Sequence, residues 1–117
     1  MSTEPLLNLE ETLERMSGDR ELLASLFQLF GDDVPKKMGT IDASIQEGDM
    51  YQIERTAHSL KGASATVGAV RLCQVAARVE QAAKGGRSGE MALLRQELDQ
   101  VWRQTLAAIH EFGGAGS

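Results

Sequence analysis

A histidine, a lysine and a glycine occupy positions 58, 61 and 62 of the run IERTAHSLKGASATVGAVRL, which begins at Ile53. Spacings of three and four place these residues on adjacent turns of one helix face. On a helical wheel the apolar stripe of this run is Ile53, Ala57, Leu60 and Ser64, and His58 lies roughly 140° from its centre. The ring is therefore lateral, outside the core. Imidazole has an ordinary pKa of about 6.5, so an exposed histidine offers a nucleophilic nitrogen near neutral pH without a dedicated base. Lys61 adds positive charge where a phosphoryl group would sit. Gly62 disfavours the helix by about 1 kcal/mol relative to alanine. A missing Cβ on the ring's face offsets that penalty if something bulky must approach there. Glu54 and Glu80 are the two carboxylates able to orient the ring.

The elements around this run read as helices throughout. Leucine and alanine are abundant, aromatics are few, and no period-two run of β-branched residues occurs. Asn8 with Glu11 forms a capping-box pattern for a short first helix that closes before Gly18. Asp19 caps a second helix running to Glu47, with Leu22, Leu26, Leu29, Phe30, Val34, Met38, Ile41 and Ile45 at helical spacing. Pro35 lies inside it and predicts a bend or break near Gly31 to Val34. Gly48 and Asp49 stop that helix and cap a third, which carries His58 and ends at Gly68. A fourth spans about Ala69 to Lys84, and Ser88 is placed to cap a fifth carrying Leu94, Leu98, Val101, Ala108 and Phe112. The pattern specifies an all-α, up-down four-helix bundle with a short additional N-terminal helix over residues 1–112, and a flexible glycine-rich tail over 113–117.

Composition narrows the function. One domain is expected from 117 residues. Seventeen acidic against twelve basic side chains, with no basic cluster, argue against nucleic acid. The single cysteine, Cys73, excludes an intramolecular disulfide, and the start MSTEP lacks the features of a signal peptide, so a cytoplasmic, soluble monomer is expected. Cys73 reads as a packing residue, His110 as a helix-end cation, and Arg55, Arg71 and Arg78 as solvated surface. No phosphate-binding loop is present; KGGRSGE follows a helix and reads as a turn.

The set His58, Leu60, Lys61, Gly62, Ala63, Ser64 and Gly68 resembles the motif of the histidine-containing phosphotransfer (HPt) family. The likeness extends to GDRELLASLFQLF, DDVP, the Gly48-Asp49 junction and the RVE of the fourth helix. Several members carry a glutamine 22 positions after the histidine that bonds the ring region; this chain has Glu80 there, with Gln81 beside it. The resemblance implies a phosphorelay intermediate. His58 would accept a phosphoryl group from a receiver-domain aspartate and return it to another, with Lys61 and Gly62 assisting and no kinase activity of its own. The implied partners are response-regulator receiver domains and a hybrid histidine kinase. No cofactor is implied for this chain, Mg²⁺ being expected on the receiver. Docking is expected on an apolar patch of Leu9, Leu13, Met16, Leu23 and Phe27. The competing readings are a non-catalytic helical adaptor and a metal-binding bundle using Glu54 and His58, the latter opposed by the lack of paired Glu-x-x-His sequences.

Overall fold

The computed structural model describes residues 4–115. The first three helices start where a side chain satisfies a free amide. The Asn8 Oδ1 accepts from the Glu11 amide, the Asp19 carboxylate from Leu22, and the Asp49 carboxylate from Gln52. The helices are α1 (Leu9–Arg15), α2 (Arg20–Glu47), α3 (Met50–Thr66), α4 (Val70–Lys84) and α5 (Met91–Ala115). Connections of two or three residues between α2, α3 and α4 force neighbouring helices to run antiparallel. The pairs α2–α3, α3–α4, α4–α5 and α2–α5 close the bundle. At about 1.5 Å per residue the 28 residues of α2 account for the 43 Å long axis of the molecule.

Three expectations are qualified or corrected. α2 stays helical through Pro35, without the break that was one of the two expected outcomes. A proline removes one backbone hydrogen bond, and the buried residues on either side, Phe30, Val34, Met38 and Ile41, hold both halves of the helix against the core. Ser88 does not cap α5; it opens a 3-10 turn, Ser88–Glu90, that leads into the helix. α5 also continues to Ala115, through the first three residues of the segment expected to be a flexible tail, while 116–117 lie outside the described residues.

The core face of α2 also differs from the expected stripe. Leu23, Phe27, Phe30 and Val34 are buried, whereas Leu22 and Leu29 are exposed. Two apolar stripes compete at the start of this helix, and the aromatic one wins the interior. Phe27 packs edge-on against Phe112, with ring centroids 5.4 Å apart, and Phe30 packs likewise against Trp102 at 5.6 Å. Such pairs are worth about 0.5–1.5 kcal/mol beyond the area they bury. Of the losing stripe, Leu22 and Leu29 stay exposed on the outer side of α2, while Leu26 is partly buried against the core.

α1 lies across the α3–α4 turn. The Asn8 amide donates to the Gly68 carbonyl at 2.9 Å, and the Val70 amide donates to Leu6 at 3.1 Å. Gly68 has a φ of 73°, and a Cβ there would meet Thr12 Oγ1 at 2.0 Å. The last glycine of the histidine motif therefore serves backbone conformation and close approach. Leu9, Leu13 and Met16 lean on the core without being fully covered.

Candidate functional site

The site sits on the α3–α4 seam. Ala57 and Leu60 on α3 and Val79 on α4 are buried, which fixes the backbone on both sides. Their neighbours His58, Lys61 and Glu80 are carried by this rigid scaffold. Antiparallel pairing brings residues far apart in sequence into register. Glu54 lies 4.0 Å from Lys84, His58 reaches Glu80, and the Cys73 thiol donates to the Lys61 carbonyl at 3.5 Å.

Glu80 is the hub. One carboxylate oxygen, Oε2, is 2.7 Å from His58 Nδ1, and the other, Oε1, is 2.7 Å from Lys61 Nζ. At that distance the lysine both bonds and electrostatically attracts the carboxylate. The Glu80 side chain is only 8% exposed, covered by its partners at a site that is otherwise open: His58 is 68% exposed and Lys61 34%. Lys61 holds the Glu80 carboxyl below its ordinary range. Burial opposes this, and the bond from His58 adds to the lowering.

That ionised carboxylate fixes the chemistry of the ring. A carboxylate only accepts, so Nδ1 must carry the hydrogen and donate it to Oε2. In the neutral ring the lone pair then resides on Nε2, away from Glu80. An acidic partner on one ring nitrogen thus orients the imidazole and leaves the other nitrogen as a nucleophile.

Of the expected site residues, the structure brings His58 and Lys61 together through Glu80. Lys61 is engaged with this carboxylate, where the sequence reading placed its charge at an incoming phosphoryl group. Gly62 lies one turn beyond His58, and a Cβ built there meets nothing within 4 Å. The glycine has no packing partner to accommodate, so its effect is to leave the surface open. Glu54, the other carboxylate considered for the ring, faces Lys84 instead. Among the described residues no group of three or more histidine, cysteine, aspartate or glutamate side chains gathers in a way that could hold a metal.

The remaining titratable candidates stand apart. Cys73 is half-buried, and burial pushes its thiol pKa up despite the nearby Lys61 ammonium, which suits a packing residue more than a reactive one. His110 is exposed on α5 beside a groove that includes Phe27 and Phe112. Arg78 pairs with Glu97 across α4 and α5.

The expected apolar docking patch is revised. Leu23 and Phe27 belong to the core and cannot face a partner. An open, mainly apolar groove of about 540 Å³ does lie between α2 and α3, lined by Leu26, Leu29, Ala63 and Val67, with Asp32, Asp33 and Lys36 also in its walls. Leu29 is 65% exposed beside it. Thr66 lies one helical turn after Gly62, so the groove borders the part of α3 that Gly62 leaves open.

A histidine held by a carboxylate on an antiparallel helical bundle, with one ring nitrogen facing solvent, defines a phosphocarrier class of site. The family model described as Hpt domain matches residues 25–112, and the chain belongs to that family. The fold is similar to the crystal structure of histidine-containing phosphotransfer protein B from Pseudomonas aeruginosa PAO1. The TM-score is 0.85 at 22% identity, covering 93% of this chain and 95% of that one. Comparison with curated proteins gave no match. The role of the chain is histidine phosphotransfer in a phosphorelay; proteins of this family are phosphocarriers rather than kinases, and they interact with receiver domains and histidine kinases. Among the described residues no helix is long and apolar enough to cross a membrane.

Proposed function

We propose that His58 Nε2 is the phosphoryl acceptor and that the chain relays the group between aspartates of two receiver domains. The observation that carries this reading is the 2.7 Å contact between His58 Nδ1 and the ionised Glu80. In the forward step the Nε2 lone pair attacks phosphorus, and the bond from phosphorus to the receiver's aspartyl oxygen breaks, with the electron pair leaving on the carboxylate. The ring then carries positive charge, with its hydrogen still on Nδ1, and Glu80 balances that charge. The second receiver's aspartate reverses the step, and the imidazole leaves as the neutral Nδ1–H tautomer. Gly62 leaves space for the approaching phosphoryl group. Lys61 keeps Glu80 ionised. Mg²⁺ belongs to the receiver in this scheme, and this chain brings no cofactor of its own.

The receiver docks over the exposed face of α3 and the groove between α2 and α3. The exposed stripe of Leu22 and Leu29 supports this placement, because it supplies apolar surface beyond what the core uses. The chain works as a monomer in the cytoplasm, a reading supported by its lone cysteine. The test is a two-stage transfer. Wild-type protein incubated with a panel of phosphorylated receivers should take up label, then pass it to an unphosphorylated receiver. Uptake by His58→Gln, or no uptake by wild type from any receiver, overturns the proposal.

A further inference from the structure

α3 carries two permanent cations, Arg55 and Lys61, and the structure treats them differently. Lys61 is committed to Glu80, its ammonium 2.7 Å from Oε1 on the α4 side of the helix. Arg55 has no hydrogen bond or ion pair among the described residues. Its guanidinium lies over the Tyr51 ring, 5.7 Å from the centroid, and both residues are exposed. A cation over an aromatic face is steadied without being neutralised, so its charge remains available to a partner.

The placement along the helix matters as much as the charge. Arg55 lies three residues before His58 and Gly62 four residues after it, which puts all three on adjoining turns of the outer surface. Side chains on a helix lean toward its N-terminus, so the His58 ring covers the turn that Arg55 starts from. The ring therefore has open space toward Gly62, and the uncommitted guanidinium lies further toward the N-terminus of the same outer surface, over Tyr51. A donor-lined cleft of about 320 Å³ adjoins Arg55, with Lys37, Thr40, Gln52, Thr56 and Ser59 in its walls.

Resting on the relay reading above, we propose that Arg55 is a positioning residue for transfer and binds the acidic surface of the receiver around its acceptor aspartate. Any protein that exchanges a phosphoryl group with His58 must bring a carboxylate and the dianionic phosphoryl group to Nε2. Negative charge therefore arrives on this face in every encounter. The cation that meets it is Arg55, since Lys61 already serves Glu80. A guanidinium at the rim of such an encounter acts through the association rate and through orientation.

The test uses the full chain and whichever phosphorylated receiver of the panel transfers fastest to wild type. Second-order transfer rates are measured for wild type, Arg55→Gln and Arg55→Lys across a range of ionic strengths. Melting temperature and the lifetime of the isolated phosphorylated protein are recorded alongside. Arg55→Gln should slow transfer about tenfold at low salt and flatten its salt dependence, with both controls unchanged. Arg55→Lys should restore most of the rate. A glutamine variant with the wild-type rate and salt dependence overturns the proposal, as does one slowed equally at every ionic strength, which marks a local structural role. If wild type takes no phosphoryl group from any receiver, the relay reading itself fails and the role of Arg55 fails with it.

Discussion

Replacing Glu80 with alanine removes the acceptor that holds the His58 hydrogen on Nδ1, and the size of the effect can be worked from the two contacts at that carboxylate. A hydrogen bond to a charged group contributes about 1.5–3 kcal/mol when shielded. Here His58 is 68% exposed and Lys61 34%, so water and salt screen both partners, and about 1 kcal/mol is the appropriate scale for the ring contact. Losing that preference lets Nε2 carry the hydrogen for much of the time and frees the ring to rotate. Since about 1.4 kcal/mol is tenfold in rate, phosphoryl uptake should fall roughly five- to tenfold. Glu80→Gln separates hydrogen bond from charge. Its amide oxygen can still accept from Nδ1, but the same oxygen is drawn to Lys61, and a flipped amide would donate to Nδ1 and favour the unreactive tautomer. The glutamine variant should therefore fall between wild type and alanine. The assay is single-turnover uptake from a phosphorylated receiver, paired with nitrogen NMR of the His58 ring to read the tautomer directly. If Glu80→Ala keeps the Nδ1–H tautomer and transfers at the wild-type rate, the reasoning about Glu80 is refuted.

Three further outcomes follow from the same structure. Because the folded Glu80 carboxyl titrates below its ordinary value of 4.5, its contribution to stability is fully present above that pH and is lost as pH falls through the lower folded value. Urea unfolding between pH 6 and pH 3 should show this acid-limb loss in wild type and a shallower one in Glu80→Gln. Gly62→Ala should stabilise the protein by up to about 1 kcal/mol, because a Cβ there meets nothing, yet slow transfer, with Gly62→Gln slower still. Thermal melting and transfer rates on the same samples check the pair; a Gly62→Gln protein that melts early but transfers normally would show that the glycine serves packing. Gly68→Ala should destabilise by about 1–3 kcal/mol, since the new Cβ meets Thr12 Oγ1 and φ is positive, and thermal melting should register the loss.

The helices and the site histidine were legible in the sequence for physical reasons that are local. Asn8, Asp19 and Asp49 announce helix starts because each caps amides only three residues away. His58 reads as lateral because the wheel depends on one helix alone. What was not legible depends on how helices meet. Glu54 and Glu80 were equal candidates for the ring, since the first is one turn away on α3 and the second becomes adjacent only through the α3–α4 register. The same holds for α2. Leu22 and Leu23, Leu26 and Phe27, Leu29 and Phe30 offer two apolar faces, and the choice between them is made by Trp102 and Phe112 on α5. The docking patch inherited that ambiguity, which is why it included two core residues. Pro35 shows the converse: of the bend or break it signals locally, the break does not occur, because core packing on both sides holds the helix together.

The central claim is that His58 accepts the phosphoryl group on Nε2 because Glu80 holds the hydrogen on Nδ1. The most direct measurement is nitrogen and phosphorus NMR of the protein phosphorylated by a receiver, with the modified residue located independently by mass spectrometry. The account predicts one phosphoryl group, on His58, bonded to Nε2, with the Nδ1 hydrogen still present and protected by Glu80. A phosphoryl group on Nδ1 of His58, or on any other residue, would contradict it.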